Sequence, residues 1–134
     1  MSTLKVNTIQ DASGSNPSTA EQLNQGRAKV WASMDGTGTP SLNDSFNCTS
    51  LADNGTGDYT LGFSISMANT NYCCTSMSEN WEGNNNDSYC AISDMKGTRQ
   101  VNSIRFKNLR LRFDQQPPQF QDSAHMGIAI FGDV

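Results

Sequence analysis

Asp53-Asn54-Gly55-Thr56-Gly57-Asp58-Tyr59-Thr60-Leu61-Gly62-Phe63-Ser64-Ile65-Ser66-Met67 is the stretch that decides the fold. Tyr59, Leu61, Phe63, Ile65 and Met67 alternate with small or polar residues, the period of a strand with one face in a core and the other in water. Asn54-Gly55 ahead of it suits the positive φ angles of a type I′ turn, so a hairpin is expected there.

Working outward, the chain keeps the same grammar of short apolar runs and turn clusters. Residues 28–34 carry Val30 and Trp31 and run into Asp35-Gly36-Thr37-Gly38-Thr39-Pro40, a turn cluster, before a further strand at 46–51. Residues 72–77 and 89–95 read as strands around a loop that contains Trp81 and Asn84-Asn85-Asn86-Asp87. In 101–113 the apolar phase shifts between Phe106 and Leu109, as a bulge or a break into two strands would produce. Pro117 and Pro118 cannot donate to a ladder, so regular pairing is not expected over 115–119. The last strand, 124–131, puts Ala124, Met126, Ile128 and Ile130 on one face. Six to eight short strands at this spacing predict an all-β chain with an antiparallel β-sandwich or jelly-roll-like body over 27–134.

The first 26 residues read differently. Leu4 and Val6 share one face of a short strand over 2–9, the turn Asp11-Ala12-Ser13-Gly14 ends it, and Ser18 and Glu21 have capping-box spacing before a helix of about two turns that stops at Gly26. Such a segment cannot form a core alone and must find a partner. Residues 1–26 are therefore expected to serve attachment and oligomerisation, with Leu4, Val6, Ile9 and Leu23 as the contact residues. Hydrophobic residues make up only 35% of the chain, and burying apolar surface between identical subunits compensates a thin core. A homotrimer is the expected state.

Composition excludes several classes. A net charge of −4 leaves no basic stripe for a phosphate backbone, so nucleic acid is not an expected partner. No apolar run is long enough for a membrane span, and no signal-peptide stretch follows Met1-Ser2-Thr3-Leu4-Lys5, so neither membrane insertion nor a cleaved leader is expected. Cys48, Cys73, Cys74 and Cys90 lack zinc-site spacing and are expected to be buried free thiols, with Cys73 and Cys74 on opposite faces of a strand. His125 is the single histidine and has no marked nucleophile or metal partner; the acidic residues are scattered through turns. Catalytic residues, metal ligands and cofactors are accordingly not expected, nor is an enzyme.

Two binding surfaces remain. Trp81, Asn84, Asn85, Asn86 and Tyr89 combine rings with small amides, which suits a host-surface glycan as well as protein contacts. Arg105, Lys107, Arg110 and Arg112 could form a basic contact patch, although a solvated strand face that discourages edge pairing explains them more simply.

The opening Ser2-Thr3-Leu4-Lys5-Val6-Asn7-Thr8-Ile9-Gln10-Asp11-Ala12-Ser13-Gly14 resembles the openings of fibre-like virion proteins from tailed phages of aquatic bacteria, including cyanophages. Lys29-Val30-Trp31, Gly36-Thr37-Gly38-Thr39, Asp44-Ser45-Phe46-Asn47 and residues 53–60 resemble the β modules that follow such openings. The resemblance spans roughly the first half and rests on strand and turn residues. It implies an attachment or trimerisation element followed by a displayed β module, in a structural virion protein assembled in the host cytoplasm and contacting other virion proteins. The absence of a shaft between the two parts, and Pro40-Ser41 where relatives carry a more strand-like pair, point to a stubby tail or neck appendage. A capsid decoration protein is one alternative reading, and a free carbohydrate-binding domain another.

Overall fold

The computed structural model describes residues 2–79, 88–94, 97–112 and 115–134. In chain order the elements are β1 (Thr8–Ile9), β2 (Ser18–Thr19), α1 (Ala20–Gly26), β3 (Val30–Asp35), β4 (Ser41–Phe46), β5 (Cys48–Gly55), β6 (Asp58–Phe63), β7 (Cys73–Ser78), β8 (Ser88–Asp94), β9 (Ser103–Arg112), β10 (Gln115–Phe120) and β11 (Met126–Phe131). Beyond the small β1-β2 ladder, two antiparallel sheets face each other. One has the order β4-β3-β11-β7, and the other the order β10-β9-β6-β5 with β8 also on β9. The all-β expectation holds, with nine strands in the two sheets among the described residues.

The core follows from the two-residue period. Val30, Ala32 and Met34 of β3 and Met126, Ile128 and Ile130 of β11 point inward from the four-stranded sheet; Tyr59, Leu61 and Phe63 of β6 and Ile104 and Phe106 of β9 meet them from the other. Met67 is buried as the alternation predicts, but the strand itself ends at Phe63, and Ile65 is only half-buried. The hairpin turn is displaced from Asn54-Gly55. Gly55 pairs with Asp58, so the turn residues are Thr56 and Gly57, and the positive φ angles fall on Gly55 and Gly57. A register shift between Asp53 and Gly55 absorbs the difference.

The phase change in 101–113 is neither a bulge nor a break, because β9 is continuous. Asn108 occupies the inward position that an apolar residue would hold, fully buried, and its Nδ2 donates to Gln121 O and Ser123 Oγ, each at 2.8 Å. Hydrogen bonds replace packing there and hide the period from a hydropathy reading. Both β6 and β8 pair with Phe106 and Lys107, so they lie on opposite edges of β9; β10 follows β6 along 109–112. The β10 ladder shifts register between Gln115 and Gln119, across the two prolines.

Two further expectations need correction. Residues 41–46 form a strand of their own, β4, in which only Leu42 and Phe46 are apolar, at the edge of its sheet. In the first 26 residues the strand is only Thr8–Ile9, which pairs with Ser18–Thr19; the first strand thus has a partner inside its own segment, and Leu4 and Val6 lie outside any strand. The capping box sits one residue on from the expected Ser18: Thr19 Oγ1 accepts from Gln22 N at 3.1 Å, and Thr19 N donates to Gln22 Oε1 at 2.8 Å.

The bonds between strands also fix two ends. At the base, Lys29 N donates to Ile130 O, Ser64 N to Asn47 O, and the Gln25 side chain to Asp133. The buried Lys29 bonds the carbonyls of Asn24 and Arg27, which ties the foot of α1 to this end. At the opposite end Gly36 N donates to Ser123 O and Glu79 N to His125 O.

Candidate functional site

The outer face of the five-stranded sheet carries half of the expected basic patch, and it is not free. Core packing turns Ile104 and Phe106 inward, so Arg105 and Lys107 point outward, beside Asp58 of β6. Arg105 makes a two-pronged ion pair, Nε to Oδ1 at 2.8 Å and NH2 to Oδ2 at 2.9 Å, and Lys107 Nζ adds a contact at 3.3 Å. The Arg105 guanidinium, bonded to the carboxylate, is the main reason that Asp58 is held at about 2. Lys107 also lies 4.0 Å from the centre of the half-exposed Phe120 ring. Arg110 falls on the alternate face position of the continuous strand, apart from Arg105 and Lys107. The side chain of Arg112 lies outside the described residues, as do Trp81, Asn84, Asn85 and Asn86 and the side chain of Tyr89. The backbone of Tyr89 pairs with Leu111.

At the end away from α1, a buried polar knot joins the sheets. Tyr59 OH donates to Asp122 Oδ1 at 2.5 Å and lies 3.1 Å from Gly36 O, while Gly57 N donates to the same Asp122 oxygen at 2.7 Å. Burial, and then the bond to Asp122, push the Tyr59 hydroxyl well above the usual phenol range, which suits a fixed donor and not an acid. Nearby, exposed His125 Nδ1 sits 2.7 Å from Glu79 Oε2, and that bond raises its pKa. The pair has no third member: among the described residues no group of three His, Cys, Asp or Glu side chains could hold a metal ion.

The outer face of the four-stranded sheet mixes exposed apolar residues with polar ones. Its rows are Phe46, Trp31, Ala129 and Thr75 in one line and Asp44, Ser33, Gly127 and Met77 in the next. Phe46 is half-exposed and Met77 is 75% exposed. A groove of about 390 Å³ runs over Gly127 and Ala129 beside Thr75, Ser76 and Met77. The outward positions of the last strand, Gly127, Ala129 and Phe131, lack polar side chains, and that was a readable sign of this surface in the sequence.

No family model, curated protein or solved structure matches this chain. All four cysteines are free, Cys73 exposed and the others half-buried, so the thiols are less buried than expected. Cys74 points inward and Cys73 outward as their adjacency requires; burial pushes the Cys74 thiol up to about 11, which keeps it protonated and unreactive near neutral pH. No helix among the described residues is long and apolar enough to cross a membrane.

The contact residues expected in the first segment are all exposed: Leu4 by 84%, with Val6, Ile9 and Leu23 each around half. None is covered by the sandwich. What these surfaces can do chemically is hold other surfaces: an arm with exposed apolar residues at one end, a partly apolar sheet face along one side, and turns at the other end.

Proposed function

We propose that this chain is a structural subunit of a tailed-phage virion, a stubby fibre-like tail or neck appendage that assembles as a homotrimer. The observation that carries this reading is the division between the two ends. The segment 2–26 leaves from the base with Leu4, Val6, Ile9 and Leu23 exposed, while the strand ends that flank 80–87, Ser78 of β7 and Ser88 of β8, lie toward the opposite end. An exposed arm at one pole for attachment, and the opposite pole for a host receptor, suit an appendage. The resemblance of residues 2–14, 29–31, 36–39, 44–47 and 53–60 to fibre-like virion proteins supports the same assignment.

The exposed arm equally suits a clamp between capsomers, which keeps a capsid decoration protein as the second reading. Immunogold electron microscopy of virions with an antibody against residues 27–134 separates them. Gold on the tail or neck is expected; gold spread over the head supports the decoration protein, and no gold on any particle sinks both.

A further inference from the structure

We propose that the groove on the outer face of the four-stranded sheet receives residues 2–9 of a second copy of this chain. This deepens the homo-oligomeric reading above and rests on it.

The groove lies over β11, and both ladder edges of β11 are taken, by β3 and by β7. An occupant therefore sits on the face through its side chains and does not extend the ladder. Antiparallel sheets with one face in the core normally turn polar residues to water on the other. The five-stranded sheet does so along β6 with Asp58, Thr60, Arg105 and Lys107, although Leu111 and Phe120 are about half-exposed farther along it; the four-stranded sheet offers Trp31, Ala129, Gly127 and a largely exposed Met77 beside the polar Asp44, Ser33 and Thr75. The groove, with Met77 beside it, marks the four-stranded sheet as the face that is covered in the assembled protein.

The same chain carries the matching part. Leu4, Val6 and Ile9 are exposed, and residues 2–6 belong to no element of the isolated copy. Leu4 and Val6 stand two residues apart, as do Gly127 and Ala129 beneath the groove. In extended chain that interval is about 6.6 Å on both sides, so two branched side chains can rest on two successive small residues while Lys5 points to water. The arm leaves the body at the base, where the Gln25 side chain bonds Asp133 just beyond the end of β11. Each copy thus brings one arm and one groove, and a head-to-tail arrangement of such copies closes into a ring with every groove filled.

The test is site-specific photo-cross-linking of the full chain, with p-benzoylphenylalanine at position 4, followed by peptide mass spectrometry and sedimentation. Expected is a link between chains to residues 75–77 or 127–129. Gly127→Lys should abolish it and convert the oligomer to monomer, with near-ultraviolet circular dichroism unchanged. The lysine is compatible with the fold because a Cβ at Gly127 meets only Met77 Cγ at 3.6 Å and Ala32 O at 4.0 Å. A stable oligomer whose cross-links from position 4 fall elsewhere overturns the groove and leaves the homo-oligomeric reading standing. A link within one chain, or in particles a link to a different virion protein, overturns it as well. A monomer without any link between chains removes both the inference and the reading beneath it.

Discussion

Replacing Gly57 with Ala should unfold this protein more readily than any other single-methyl addition at a turn glycine with positive φ. Gly57 has φ +62°, where an L-residue is disfavoured by about 1–2 kcal/mol. A Cβ there would sit 2.6 Å from both Asn108 O and Gln121 N. Both are main-chain atoms, so no rotamer change relieves the clash, and the junction of β6, β9 and β10 must open. Opening it weakens the bond from Asn108 N to Gly57 O, 2.8 Å, and the one from Gly57 N to the Asp122 carboxylate, 2.7 Å. A charge-assisted bond contributes about 1.5–3 kcal/mol and a neutral one about 1 kcal/mol, so their partial loss with the φ strain comes to roughly 3–5 kcal/mol. Gly38 is the internal control: its φ is +61°, and a Cβ there meets nothing within 4 Å. Gly38→Ala should cost only about 1–2 kcal/mol. Urea unfolding, with the midpoints compared at equal slope, measures both. Equal losses for the two variants would refute the close approach of the three strands at Gly57.

Three further outcomes follow from the packing and charges. Tyr59→Phe keeps the ring, 5.7 Å from that of Phe106, but leaves Asp122 short of a donor; thermal unfolding should show a loss of about 1.5–3 kcal/mol, and an unchanged midpoint would mean that water replaces the hydroxyl. Phe63→Ala removes a ring that is 94% buried and packs edge-on to Tyr72, so about 3–5 kcal/mol should go; a negligible change would show the strand phase to be wrong. Asp58 is held at about 2 in the fold against 3.8 without its partners, so its contribution is complete above the higher value and fades as pH falls through the lower one. Between pH 5 and pH 2 the parent should lose roughly 1–2 kcal/mol more than Arg105→Ala, and parallel pH profiles in urea unfolding would remove the ion pair from the ledger.

The elements legible in the sequence were those whose alternation is written in apolar residues. Tyr59, Leu61 and Phe63 declared β6, and Met126, Ile128 and Ile130 declared β11, because each strand buries one full face. β4 escaped because an edge strand with only Leu42 and Phe46 as apolar residues has no period to read. β9 was misread at Asn108, where hydrogen bonds to Gln121 and Ser123 take the place of apolar contact. The capping box shifted because Thr19 with Gln22 offers the same hydroxyl and acceptor spacing as Ser18 with Glu21, and the sequence alone did not choose between them. On the surface, the spacing of Arg105 and Lys107 showed that they share a face, but not that Asp58, 47 positions earlier in the sequence, lies between them. Only the register of β6 on β9 supplies that. The apolar face around Trp31 and Ala129 likewise exists only once β3, β11 and β7 are set side by side.

Sedimentation equilibrium of the full chain beside residues 27–134 alone, at micromolar concentration, tests most directly whether assembly resides in the first segment. The full chain should sediment as a trimer, and the body as a monomer that still unfolds cooperatively. A monomeric full chain, or a body that associates as strongly as the full chain does, would contradict the role assigned to residues 2–26.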